Sequence, residues 1–289
     1  MKVKFWGTRG SIPVPGRSTM IYGGNTPSIQ VTSSGGEQIF LDAGSGFREA
    51  GIDLMRKKSK SKIYLFMSHF HWDHVLGLPF FPPLYDENNA VQIYGMANNQ
   101  KTVEEVIDLL IRPPLFPITK AEFKASVTFE NISPNDSVSL GDLTLKTFEV
   151  NHQCCTLAYR IDEGNKSFVY ITDNEIKYSK LNPDSLINDI AEHNAGMIEF
   201  CKDTDYIVHD TTYTFEDYSN KIGWGHSNNL SGAILSSLAG VKNLILFHYD
   251  PEYNDEKVEL ILNETKAFLK KMGSKVNCIA SRDGLELEV

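Results

Sequence analysis

The chain has 289 residues and a formal net charge of −9, with 41% hydrophobic and 22% charged residues. That balance belongs to a globular protein with a substantial core, and the length fits one large domain or two small ones. The acidic balance argues against a surface that grips extended nucleic acid, because phosphate backbones are held by clustered Lys and Arg. No apolar run approaches the ~20 residues of a membrane span, and the opening MKVKFWGTRGS lacks the apolar stretch of a signal peptide, so a cytoplasmic protein without a membrane partner is expected. Cys154, Cys155, Cys201 and Cys278 form no CxxC pair, which makes reduced thiols the expectation and Cys154–Cys155 zinc ligation a minor reading.

Short apolar runs between Gly and Pro turns predict strands over residues 2–6, 28–32 and 38–41. A short helix over 47–57 precedes a buried strand over 62–67. Another strand at 91–94 leads to a helix over 99–111, whose apolar face is Val103, Val106, Ile107 and Leu110. Arg112-Pro113-Pro114 stops that helix. Residues 125–172 read as a run of antiparallel strands, at 127–130, 137–140, 144–150, 156–161 and 167–171. The remainder alternates: helix 183–200, strand 206–209, helix 231–238, strand 244–247, a long amphipathic helix 255–272, then strands 277–280 and 285–288 around Asp283-Gly284. No linker or composition break interrupts the chain, so two sheets with helices outside, folded as one domain over 1–289, are expected. The stretch Arg56-Lys57-Lys58 with Lys60 and Lys62 reads as an exposed helix end and loop, not a nucleic-acid patch.

The densest chemistry is Ser68-His69-Phe70-His71-Trp72-Asp73-His74, directly after the strand 62–67. The chain holds 8 His, and three of them fall here beside a carboxylate, a ligand set suited to zinc or a similar divalent ion. In an extended segment His69 and His71 share a side, while Asp73 and His74 reach beyond the turn. His152, Asp173 and His248 also follow strands, at 144–150, 167–171 and 244–247. Side chains at the ends of several strands can converge on one rim.

His69-Phe70-His71-Trp72-Asp73-His74 resembles the HxHxDH signature of the metallo-β-lactamase superfamily. Gly7-Thr8-Arg9-Gly10-Ser11, Tyr22-Gly23-Gly24-Asn25-Thr26 and Leu41-Asp42-Ala43-Gly44 resemble the opening of its ribonuclease Z-like branch, which also includes cyclic-nucleotide phosphodiesterases. The resemblance implies an α/β fold, the four-layer αββα sandwich. It further implies two divalent metal ions, zinc first and manganese or iron as alternatives. His69, His71 and His152 would hold one ion, Asp73, His74 and His248 the other, and Asp173 would bridge them. A homodimer follows only by analogy.

Val208-His209-Asp210-Thr211-Thr212-Tyr213 and Gly225-His226-Ser227 resemble two further elements of that branch. On that match Asp210 orients His226, and His226 faces the scissile phosphate as acid or oxyanion stabiliser. Asp73 would accept or steer the proton of the attacking water. Asp42 is expected to support a metal-site His through a hydrogen bond. His209 reads as structural and His193 as exposed. Asn25 either places an amide near the ions or serves the Gly-Gly turn; Arg9 either contacts phosphate or pairs with an acidic neighbour. Residues 79–85 with 112–116, rich in Pro and aromatics, would form a rim that stacks a base or a packed loop.

The chain lacks the long Gly- and Lys-rich insertion with which ribonuclease Z grips transfer RNA. A small phosphodiester, a cyclic nucleotide first, is therefore the expected substrate, with RNA 3′ processing as runner-up. Lactam or thioester hydrolysis follows behind, because it needs no Asp210–His226 pair.

Overall fold

A computed structural model describes residues 1–56, 61–96, 101–179 and 185–289. The first sheet contains β1 (Lys2–Gly7), β2 (Ser28–Thr32), β3 (Gln38–Leu41), β4 (Lys62–Phe66), β5 (Ala90–Gly95) and β6 (Ser126–Asn131). The second contains β7 (Ser137–Leu140), β8 (Leu143–Glu149), β9 (Leu157–Glu163), β10 (Lys166–Ile171), β11 (Tyr206–Asp210), β12 (Asn243–Phe247) and β13 (Asn277–Ala280). The last strand, β14 (Glu286–Glu288), returns to the first sheet and pairs antiparallel with β1. Each sheet has 7 strands, in the orders β14-β1-β2-β3-β4-β5-β6 and β13-β12-β11-β10-β9-β8-β7.

Period-two alternation divides the core. Val3, Phe5, Ile39, Leu41 and Phe66 of one sheet meet Leu145, Tyr159, Phe168, Tyr170 and Phe247 of the other. The opposite face of the first sheet, including Phe40, Ile63 and Leu65, packs on α1 (Gly46–Arg56), α2 (Trp72–Val75) and α3 (Val103–Leu110). The outer face of the second sheet packs on α4 (Leu186–His193), α5 (Ala195–Phe200), α6 (Phe215–Tyr218), α7 (Asn229–Leu238) and α8 (Asp255–Lys271). Helices therefore cover both outer faces of a two-sheet sandwich, the αββα arrangement. Among the described residues no helix is long and apolar enough to cross a membrane.

Two expectations need correction. The segment at 127–130 does not open an antiparallel run: β6 pairs parallel with β5 in the first sheet. The crossover through α3 turns the chain back to the direction of β5, as a parallel pair requires. The expected helix 183–200 is two helices, broken at Asn194. The Asn194 side chain donates to the carbonyls of Lys177 and Ile190 and accepts from the Lys177 amide, competing with the helical ladder. Lys57 of the first expected helix, Asn99 and Gln100 of the second, Pro183 and Asp184 of the third, and Lys57, Lys58 and Lys60 of the basic stretch lie outside the described residues.

Strands β3 and β4 run parallel, as do β10, β11 and β12. Their carboxyl ends bear Asp42, the His69–His74 segment, Asp173, Asp210 and His248. Open parallel sheets bind ligands at such ends, where chains leave the ladder with polar groups to spare.

Candidate metal centre

At three of these strand ends a non-glycine residue takes left-handed backbone: Asp42 with φ 62°, Asp173 with φ 45° and His248 with φ 64°. The reversal ends the strand and turns the side chain towards the space between the sheets' rims. Seven side chains arrive there from distant parts of the chain: His69, His71, Asp73, His74, His152, Asp173 and His248.

They form two groups that share Asp173. Asp173 Oδ1 lies 3.6 Å from His69 Nε2 and 3.7 Å from His152 Nε2. Its other oxygen, Oδ2, lies 3.1 Å from His74 Nε2 and 3.2 Å from His248 Nε2. Asp73 Oδ2 is 3.2 Å from both His74 Nε2 and His248 Nε2. His71 presents Nδ1, 3.3 Å from His152 Nε2.

Hydrogen bonding behind the rings determines which atoms face inward. His74 Nδ1 meets the Asp42 carboxylate at 2.8 Å and His152 Nδ1 meets the Gly225 carbonyl at 2.8 Å; both partners only accept, so both Nδ1 atoms carry the proton. Ser68 Oγ donates to Asp42 and so accepts from His69 Nδ1 at 3.0 Å. Thr212 Oγ1 commits its proton to Asp210 Oδ1 or the His248 carbonyl, and accepts from His248 Nδ1 at 3.1 Å. Four imidazoles thus aim Nε2 lone pairs at the centre. Nε2 of His69 and of His74 is fully buried without a hydrogen bond, although carboxylate oxygens lie near, because the geometry is wrong for one. Converging lone pairs and unpartnered buried nitrogens fit divalent cations held by N and O donors.

Electrostatics agree. Burial opposes charge throughout, yet neighbouring imidazoles hold Asp73 and Asp173 well below the usual carboxylate range. Burial alone would lower His74, but Asp73, Asp173 and Asp42 raise it well above an ordinary imidazole, the mark of a negative field that a proton fills when no cation does. Burial lowers His69, His71 and His152, which keeps them neutral and able to donate lone pairs.

Beside the cluster, His226 Nδ1 contacts Asp210 Oδ2 at 2.8 Å and lies 4.0 Å from Asp173 Oδ1. Its ring stacks on His248 with centroids 5.0 Å apart. Burial disfavours the imidazolium, but Asp210 more than offsets it and raises His226 to about 9. Asp210 is itself locked by the Thr212 amide and hydroxyl at 3.0 and 2.8 Å.

Asp42 supports the site as expected, receiving bonds from Ser68, His74 and the Tyr170 hydroxyl. His209 is buried with Nδ1 donating to the Asp210 carbonyl, and His193 sits exposed at the end of α4. Arg9 and Asn25 face elsewhere. Arg9 is fully buried and donates to the carbonyls of Gly23, Asp250 and Tyr253, so it serves the loops rather than phosphate or an acidic partner. Asn25 bonds Asp283 and Ser45, as a turn residue does. In the two aromatic loops Phe80 packs edge-on against Phe116, while Phe81 and Leu84 are buried in the core.

Sequence reasoning missed Glu175, and quoted Gly225 only as the residue before His226, without its part in holding His152. Glu175 accepts from the amides of Gly223 at 2.7 Å and Gly225 at 2.9 Å, and from the Tyr218 hydroxyl. It thereby anchors the loop that supplies both the His152 acceptor and His226. Gly225, at φ 83°, leaves no room for a Cβ, which would sit 2.3 Å from His152 Nδ1. Neither carries a local signal, since both act across about fifty or more residues. A cleft of about 660 Å³ opens beside His152, lined by Cys154, Lys177, His193 and Met197 among others.

A family model described as "Beta-lactamase superfamily domain" matches residues 37–249. Ribonuclease Z of Picrophilus torridus is 24% identical, covering 100% of this chain and 96% of that protein. Ribonuclease Z of Thermoplasma acidophilum is 27% identical, covering 95% and 94%. Among solved structures, the metallo-beta-lactamase fold protein YhfI from Bacillus subtilis superposes with a TM-score of 0.71 at 18% identity, covering 100% of this chain and 99% of its own. A diphosphatase of the PhnP family gives 0.66 at 19% identity, covering 100% and 97%. Yeast PDE1 gives 0.66 at 13%, covering 100% and 99%. These structural likenesses concern the fold, while the family match spans most of the chain and includes every side chain of the cluster. The chain belongs to the beta-lactamase superfamily, as a metal-dependent hydrolase.

Proposed function

We propose that the chain, acting as one hydrolase domain over residues 1–289, is a dinuclear phosphodiesterase that hydrolyses a small phosphodiester, a cyclic nucleotide first. His69, His71 and His152 would hold one divalent ion and Asp73, His74 and His248 the other, with Asp173 placed between the two groups. Zinc suits these donors best, with manganese or iron as alternatives where supply dictates. When bound, such a pair lowers the pKa of a water and clamps phosphoryl oxygens.

The single observation that carries the reading is the Asp210–His226 pair at 2.8 Å, set beside the shared Asp173. Asp210 fixes Nδ1 of His226 and raises the ring's proton affinity, so Nε2 is the atom that would carry a proton to the phosphoryl group. A leaving alkoxide would take that proton, and a pentavalent oxyanion would be held by the ring's charge. Asp73, kept ionised, accepts the proton of the attacking water. The net charge of −9 disfavours a long polyanion.

The second reading, an RNA 3′-processing endonuclease, draws on the relatives named ribonuclease Z, whose length this chain covers almost completely. Turnover of 3′,5′-cyclic nucleotides, a bis-aryl phosphodiester, a precursor transfer RNA and a β-lactam by protein of verified metal content separates these. Cyclic-nucleotide turnover well above the RNA rate is expected. Faster RNA cleavage would move the chain to the second reading, and lactam turnover alone would end both.

A further inference from the structure

We infer that Cys154 is a sulfur ligand to the ion held by His69, His71 and His152, making this half of the centre a mixed nitrogen–sulfur site. The inference rests on the proposed metal-binding role of those imidazoles. Cys154 Sγ and one nitrogen from each of the three rings all lie within 4.8 Å of one another. The His69 nitrogen aimed into this group is buried and has no hydrogen-bond partner. Donors around one zinc, at about 2.0–2.3 Å from it, lie roughly 3.3–3.6 Å apart at tetrahedral spacing, inside the 4.8 Å bound of this group, and with Asp173 this half would hold five donors.

The local chain explains the approach. The Val150 amide bonds the Thr156 carbonyl at 3.0 Å, folding residues 151–155 into a tight excursion at the end of β8. His152 and Cys154, two residues apart, reach the same group, as His69 and His71 do from the other sheet. Cys155 is exposed, whereas Cys154 is half-buried and lines the cleft. Among the described residues its sulfur meets Thr156 Oγ1 at 3.6 Å, a weak partner for sulfur. On coordination the thiol proton leaves to solvent and a sulfur lone pair forms the metal–sulfur bond.

A soft donor changes what the site selects. Thiolate favours zinc or cobalt over manganese, while the group of Asp73, His74, Asp173 and His248 offers only nitrogen and oxygen. The two halves should therefore load in order, the Cys154 half first.

Titration of metal-free protein with cobalt(II), followed by absorption, tests this directly. A thiolate-to-cobalt charge-transfer band in the near ultraviolet is expected to saturate with the first equivalent, ahead of the full visible d–d bands. Cys154→Ser should lose the band and weaken binding of the first ion by more than about tenfold; Cys155→Ser should keep both. If cobalt binds with d–d bands but no charge transfer in the wild-type protein, the Cys154 assignment falls and the metal centre stands. A band that survives in Cys154→Ser overturns it as well. If no cobalt binds, the metal-centre reading fails together with it.

Discussion

Non-glycine residues with positive φ at Asp42, Asp173 and His248 show how individual side chains are recruited here. Each such conformation costs of order 1–3 kcal/mol unless the surroundings hold it. Asp42 is held by four bonds, and Asp173 and His248 sit between charged partners. His226 differs in kind: Asp210 bonds its Nδ1, and on the proposed mechanism its proton has a chemical use. His226→Ala should therefore lower kcat on a phosphodiester by about 10²–10⁴ while leaving metal content intact, as checked by steady-state kinetics beside metal analysis. Wild-type kcat in that variant would remove His226 from the chemistry. Asp210→Asn should move kcat the same way, because an amide cannot support the charged ring.

Among the elements, loops do most of the positioning. The segment from α6 to α7 carries Gly225 and His226, and its anchor is Glu175 on the loop after β10. Removing that carboxylate strands the buried Gly225 amide, a loss of about 1–3 kcal/mol for a buried donor, and frees the more exposed Gly223 amide to water. Glu175→Ala should cut kcat/KM by roughly 5- to 150-fold with unchanged circular dichroism, and should expose the 219–227 loop to limited proteolysis. Glu175→Gln, which keeps an acceptor oxygen, should recover part of the activity. An alanine variant with native kinetics and native protease resistance would mean the loop holds itself. The Asn194 break between α4 and α5 and the parallel β5–β6 pair belong to this scale too. Both arise from partners distant in the chain, which local periodicity does not register.

For the molecule as a whole, the cluster joins the rims of two sheets. His69, His71, Asp73 and His74 come from the first, and His152, Asp173 and His248 from the second. Ions bound there add a link that the unfolded chain cannot form. At a hundredfold excess over Kd such binding adds about 2.7 kcal/mol, which in a chain of this size raises Tm by roughly 4–5 °C. Chelation should lower the melting temperature by that amount, and zinc should restore it; a melt indifferent to both would argue against tight ions at this position. The His and Asp side chains that converge and the strand-rich layers were legible beforehand, because a dense His-Asp segment after an apolar strand and period-two runs are local patterns, while the αββα class came from the family resemblance. Which imidazole nitrogen faces the centre, that Arg9 and Asn25 serve loops, that Glu175 holds the His226 loop and that Cys154 approaches the histidines were decided only in three dimensions. Side-chain direction and hydrogen-bond partner depend on neighbours far away in the chain, and residue type carries no record of them.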